Sequence, residues 1–426
     1  MARRGGMALA LSSAFFRLSA KGAELDARDL IAQFEKTLKE NIVAFWYPKS
    51  LDREAGGYTM NFGQQGEPLG PARKMIVTQA RMVWFFAAVA RAGYTGPGWG
   101  RKELLDAAEH GYRFLLERMR DPAHDGYYWE VDATGQKVTR PEKTVYGHSF
   151  VLYALAEYAL ATGRKDVLDQ AARLFRLLEE KAHDRVHGGY REAFQPDWTP
   201  IQGNGPMGPA DLKLMNSHLH MLEAVTLFYR ASKLPEARER LLELMTIAGN
   251  TMVRKDVGAC TDKYSLDWTP RLEGNYNRVS YGHDLEAVWL LMEGCDAAGV
   301  PNWLYMDLYR TLWSYSLRFG FDEQNGGFYD SGPLGKPADN LNKVWWVQAE
   351  TLVSALRMYQ ATRDPVYRTA FEKLWSFLRE RQIDWKYGEW HDTILPDGRV
   401  RGNKAHMWKA AYHNGRAMLE CIRLLK

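Results

Sequence analysis

Eleven histidines are spread over 426 residues, and two of them open the same short pattern. Ser217-His218-Leu219-His220-Met221-Leu222-Glu223-Ala224-Val225 aligns with Ser280-Tyr281-Gly282-His283-Asp284-Leu285-Glu286-Ala287-Val288. Both carry H-x-x-E, which on a helix sets imidazole and carboxylate on one face. His218 and His220 point to opposite faces, and alignment with His283 picks His220 as the inward one. Asn216, four residues earlier, shares its side. A carboxylate beside an imidazole orients the ring, so His283 with Glu286 reads as a proton-transfer pair. His148, in Tyr146-Gly147-His148, has Val151 where the glutamate would stand and reads as structural. Metal is the competing reading of H-x-x-E. Di-iron bundles use a pair of Glu-x-x-His motifs in the reverse order, and zincins use HExxH; neither set occurs here. No GxGxxG or GxxxxGK[ST] loop is present either. The expectation is chemistry by side chains alone, without metal or cofactor.

These residues need elements to hold them, and the chain repeats one unit. Glycine-aromatic turns recur at Gly56-Gly57-Tyr58, Asp125-Gly126-Tyr127, Gly188-Gly189-Tyr190, Gly326-Gly327-Phe328 and Gly388-Glu389-Trp390. The spacings are 69, 63, 138 and 61 residues, and the long one predicts a sixth turn at Gly258-Ala259-Cys260. Asp197-Trp198-Thr199-Pro200 also returns seventy residues on as Asp267-Trp268-Thr269-Pro270. Each unit reads as a helix, the turn, a short aromatic hairpin or loop, and a second helix. Apolar spacing predicts the second helices over 79–92, 147–162, 217–232, 282–298, 347–362 and 413–425. They are apolar nearly all round, whereas the first helices, such as 101–118 and 235–245, are more charged. An inner ring inside a more solvated outer ring is an (α/α)6 barrel, an all-α fold of six helix pairs with short hairpins or loops at its mouth. The N-terminal ends of all six inner helices then share that mouth. They bring together Arg81; His148; Asn216 with His220; His283 with Glu286; Trp345-Trp346 with Gln348 and Glu350; and His413 with Arg416.

Composition bounds the function. Tryptophan, tyrosine and phenylalanine make 13% of the chain, a surplus that suits a core or a cleft for sugar rings. The net charge of +4 comes with no long basic run, which argues against nucleic acid as a partner. No apolar run reaches the ~18 residues of a membrane helix. Cys260, Cys295 and Cys421 form no CxxC pair and read as buried thiols of a reducing, cytoplasmic compartment. Residues 1–26 read as an N-terminal extension, disordered or a signal peptide, because Arg3-Arg4 precedes an apolar run from Met7 to Phe16 that Arg17 interrupts. Export is thus the alternative to the cytoplasm. Residues 27–426 read as a single barrel domain.

Tyr281-Gly282-His283-Asp284-Leu285-Glu286-Ala287-Val288-Trp289-Leu290-Leu291 resembles the signature of the N-acylglucosamine 2-epimerase superfamily, and of its cellobiose 2-epimerase subgroup in particular. Asn216 to Ala224, Lys343 to Glu350 and Met407 to Arg416 fit the same subgroup, in one order over residues 27–426. The resemblance implies an (α/α)6 barrel that inverts C2 of a reducing-end aldose. It implies that His283 and His413 are the paired acid and base, and that His220 and Arg81 contact the C1 and C2 oxygens. Asn216, Glu286, Trp346 and Trp408 match positions that orient the histidines or pack on the sugar, and Tyr146 and Glu350 are read with them as lining the site. The implied partner is a mono- or disaccharide substrate, with no membrane and a monomeric or homodimeric state. One departure stands out: Met407-Trp408-Lys409-Ala410-Ala411 lacks the proline that often precedes Tyr-His, which leaves substrate preference open. Three rivals remain: an aldose–ketose isomerase, an inverting glycoside hydrolase using Asp284 and Glu350, and a protein-binding module.

Overall fold

The computed structural model describes residues 25–426, so residues 1–24 of the expected extension lie outside it. Twelve helices alternate along the described chain. α1 (Ala27–Lys36, extended through Thr37–Val43 to Trp46) precedes α2 (Ile76–Arg91). The later pairs are α3 (Arg101–Phe114) with α4 (Val145–Thr162) and α5 (Lys165–Lys181) with α6 (Met215–Ser232). α7 (Pro235–Thr246) leads to α8 (Tyr281–Ala298), α9 (Met306–Gly320) to α10 (Trp345–Thr362), and α11 (Pro365–Phe377) to α12 (Tyr412–Leu425).

Burial separates the two sets. In α4 nearly every residue is buried, whereas in α5 the buried residues are Val167, Ala171, Ala172, Leu174, Phe175 and Leu178, one stripe facing inward. The even-numbered helices each touch the next, and α12 touches α2, so they close a ring. Each odd-numbered helix packs on the even one before it, and α1 packs on α12. This is the (α/α)6 barrel. No described helix is long and apolar enough to cross a membrane.

The mouth is laced together by two- and three-residue strands. The strand entering one inner helix pairs with the loop of the next unit: Lys143-Thr144 with Ala193-Phe194, Lys213-Leu214 with Lys263-Tyr264, and Lys343-Val344 with Thr393-Ile394. A bridge between Phe62 and Ala405 closes the circuit. The sixth turn stands where the spacing predicts it, with Gly258 at φ +86° between paired Val253-Arg254 and Ala259-Cys260.

Two devices hold the glycine turns, each at five of the six. Asp52, Asp121, Asp184, Asp322 and Asp384 cap backbone N–H groups of their turns and accept from Lys74, Lys143, Lys213, Lys343 and Lys404 at 2.7–2.9 Å. Unit four has lost this pair. Ala259, Val279, Tyr281 and Tyr315 pack there as a small apolar cluster. Second, a side chain on the inner helix clasps the turn: Gln79 with Tyr58, His148 with Tyr127, His218 with Tyr190, Asp284 with Cys260 and Gln348 with Phe328. The close approach explains two glycines. A Cβ on Gly126 would lie 2.8 Å from His148 Nε2, and one on Gly189 2.6 Å from His218 Nε2.

Candidate active site

The clasp uses the fourth residue of five inner helices, so His148, His218, Asp284 and Gln348 are committed to turns rather than to the lumen. His148 is structural, as its missing glutamate predicts, and His220 rather than His218 faces inward. Two residues further along, the side chains meet near the ring axis: Arg81, Phe150, His220, Glu286 and Glu350, with Arg416 from α12. Arg81 lies flat over Phe150, 4.2 Å from the ring centre, and Phe150 is 4.8 Å from the His220 ring. Arg81 also donates to Tyr146 Oη and to the Trp408 carbonyl, both at 3.3 Å.

Arg416 organises the floor. Its Nη2 is 2.7 Å from Glu286 Oε1 and 2.8 Å from Glu350 Oε1, and its Nη1 bonds Glu223 and Tyr412. The guanidinium is sandwiched by Trp289 and Tyr412, at 4.7 and 4.2 Å. Two of its three carboxylates hold imidazoles. Glu223 Oε2 is 2.9 Å from His220 Nδ1, and Glu350 Oε1 is 2.5 Å from His413 Nδ1. Glu350 takes a further bond from Trp289 Nε1 at 3.0 Å. In both histidines Nδ1 is tied down, which leaves Nε2 for substrate.

This corrects one sequence expectation. H-x-x-E closes in His220–Glu223, but Glu286 does not orient His283. The Glu286 carboxylate is wholly buried and turns to Arg416, because a buried carboxylate seeks a cation before a neutral ring. Glu350, read from the sequence as lining the sugar site, sits behind His413 with its carboxylate on the imidazole Nδ1. Sequence reasoning places Arg416 at the mouth without a role and passes over Tyr412. The signal was there: Arg416 stands three residues after His413, the spacing that brings two helical side chains to one side.

His283, Trp346, Trp408 and Asn216 are the half-buried members, on the solvent side of the belt. The His283 ring is 4.7 Å from Trp346, and His413 is 5.8 Å from the same indole. Both histidines thus pack against Trp346. Trp408 packs 6.4 Å from Tyr146, and the Asn216 N–H is held by Asp262 Oδ1 at 3.0 Å.

Electrostatics sets the protons. Burial pushes His283 down to about 4, with Asp262 opposing and Lys263 assisting. Burial and the positive Arg81 hold His413 and His220 well below the ordinary histidine value. All three are neutral at pH 7, as a base must be. Burial pushes Glu286 up to about 8 and Glu350 in the same direction, the neighbouring Glu286 adding to the latter. Burial of these two carboxylates thus favours their protonated forms. Glu286, Glu350 and His413 are also the one group among the described residues that could hold a metal ion. The Arg416 guanidinium already lies against both carboxylates.

Residues 56–417 match the N-acylglucosamine 2-epimerase (GlcNAc 2-epimerase) family. The chain belongs to that family. A cellobiose 2-epimerase of Ruminococcus albus is 31% identical over 92% of this chain and 98% of its own length. A D-mannose isomerase of Marinomonas mediterranea is 27% identical over 93% and 97%. The solved cellobiose 2-epimerase of Spirochaeta thermophila superposes with a TM-score of 0.85 at 32% identity, covering 95% of this chain and 99% of that one. Like the family, the chain is an enzyme of the epimerase and isomerase class, and its twelve-helix ring is the fold those relatives share.

Proposed function

We propose that the chain inverts C2 of a reducing-end aldose of glucose or mannose type, with β-1,4-linked disaccharides such as cellobiose as the substrate class. The observation that carries this reading is the convergence of His283 and His413 on one indole, Trp346, with Arg81 and His220 nearby. The open-chain aldehyde makes the C2 proton removable, and an imidazole neutral at pH 7 takes it. The electrons move into an enediolate across C1 and C2, whose growing negative charge the Arg81 guanidinium stabilises, while the free His220 Nε2 accepts from a sugar hydroxyl. The opposite histidine, which has taken a proton from solvent at Nε2, gives it to C2 on the other face, and the first histidine releases the abstracted proton to solvent. The Glu350–His413 pair suits both duties. With Nδ1–H bonded to Glu350, Nε2 is a free base; one added proton makes Nε2–H the acid.

Moving the proton from C2 to C1 instead would give a ketose, and the similarity to a D-mannose isomerase supports that as the second reading. The glycoside hydrolase loses its two carboxylates: Asp284 accepts the Cys260 N–H and Glu350 lies behind His413. Chromatography of products from cellobiose and from mannose tests the choice. Epimerisation yields the C2 epimer of each, isomerisation yields fructose-type sugars, and free glucose from cellobiose would contradict both.

A further inference from the structure

At the end of the ring away from the histidines, the inner helices enclose a cavity of about 590 Å³, a volume typical of small-molecule sites. Trp84, Tyr153, Trp289 and Glu223 line it nearest the catalytic floor. Trp84 and Tyr153 stack on each other at 5.2 Å with 11° between their planes, and Trp289 backs Arg416. The remaining wall carries Glu157 paired with Arg91, and Glu293 held by Arg230 at 2.6 Å and by Arg423 at 2.7 Å. The rim includes Leu160, 38% exposed.

Charge decides the class of ligand. The lining cations are Arg91, Arg230, Arg423 and Lys426, and the lining anions are Glu157, Glu223, Glu293 and Glu420. Each already has an ion-pair partner, Glu223 through Arg416 and Lys426 through Glu35. The wall is balanced and recruits neither an anion nor a metal cation. An acyl chain would strip water from these ion pairs without replacing its hydrogen bonds. A neutral polyhydroxylated molecule matches every feature, since its hydroxyls accept from guanidinium N–H and donate to carboxylates while its C–H faces meet indole and phenol rings. We propose that this cavity is a second ligand site, for a neutral sugar or polyol of mono- to disaccharide size, separate from the histidine end. The proposal does not depend on the reaction assigned above.

The probe is α,α-trehalose, a non-reducing disaccharide with no aldehyde to react. Its affinity is measured by ligand-observed NMR titration for the wild-type chain, Ala88→Phe, Leu160→Trp and Trp346→Ala. Ala88 lines the cavity and is 5% exposed, so a phenyl ring there fills it; Leu160→Trp narrows the rim without touching the core. The expected result is saturable binding in the wild type and in Trp346→Ala with equal Kd, weakened about tenfold or more, the equivalent of ~1.4 kcal/mol, by the two cavity variants. Should Ala88→Phe fail to fold, Leu160→Trp decides alone. Absence of saturable binding, wild-type affinity in Leu160→Trp, or loss of binding in Trp346→Ala overturns the proposal.

Discussion

His413 owes its orientation to a single hydrogen bond, from Nδ1 to Glu350 Oε1 at 2.5 Å, and Glu350 in turn is held by Arg416 and Trp289. A glutamine at 350 keeps the shape but cannot exchange a proton with the ring. Glu350→Gln is therefore expected to lower kcat by about 10²-fold or more, the scale of a general acid–base contribution, with KM little changed. Steady-state kinetics on the disaccharide reads the split. A rise in KM at unchanged kcat would make Glu350 a sugar contact, as the sequence reading had it. Glu350 is legible in sequence as a polar residue at the mouth, but its partner is 63 residues away, and only the closed ring brings them together.

At the scale of elements, the recurrent turns depend on a buried lysine. Lys143 Nζ is fully buried against Asp121 at 2.8 Å and against the carbonyls of Asp125 and Pro196. Removing one partner of a buried pair leaves an uncompensated charge, so Lys143→Met is expected to cost about 3–5 kcal/mol, read from denaturant melts. A loss under 1 kcal/mol would mean that Asp121 finds other company. Unit four shows that an apolar cluster can replace the pair when both members are gone. The helices themselves were largely readable: the apolar runs give the C-terminal ends of the inner helices to within one residue. Their first turns begin one to three residues early: Ile76, Val77 and Trp345 are buried core residues that follow directly on the short strands at the mouth, and their residue types do not mark where strand gives way to helix. The aspartate–lysine pairs were invisible, since their members stand 20 to 29 residues apart and meet only through the hairpin register. The wide π-helical turns that end four outer helices, such as Leu115–Met119 and Leu378–Gln382, leave no pattern in residue type either.

For the whole molecule, the repeat explains an acid sensitivity and the site together. Burial holds His148 and His218 at about 4, against about 6.5 in an unfolded chain. Between those values the unfolded chain takes up protons that the folded one refuses. Stability is complete above pH 6.5 and falls as pH drops toward 4. Units one and five make the same clasp with Gln79 and Gln348. The double variant His148→Gln, His218→Gln is expected to fold and to lessen that acid slope in melts from pH 7 to 4, the remainder coming from His283, His413, His220 and His391; an unchanged slope would place the sensitivity elsewhere. Ring closure also brings His283 and His413, 130 residues apart in sequence, against the same indole, Trp346. The central claim is that they serve opposite faces of C2, and deuterium uptake at C2 tests it most directly. His283→Ala and His413→Ala are incubated in D₂O with each C2 epimer separately and followed by NMR. Both should lose net epimerisation by about 10²–10⁴-fold. One should still exchange the C2 proton of the gluco sugar alone, and the other that of the manno sugar alone. Near wild-type epimerisation in either variant, or exchange of the same epimer by both, would contradict the two-histidine mechanism.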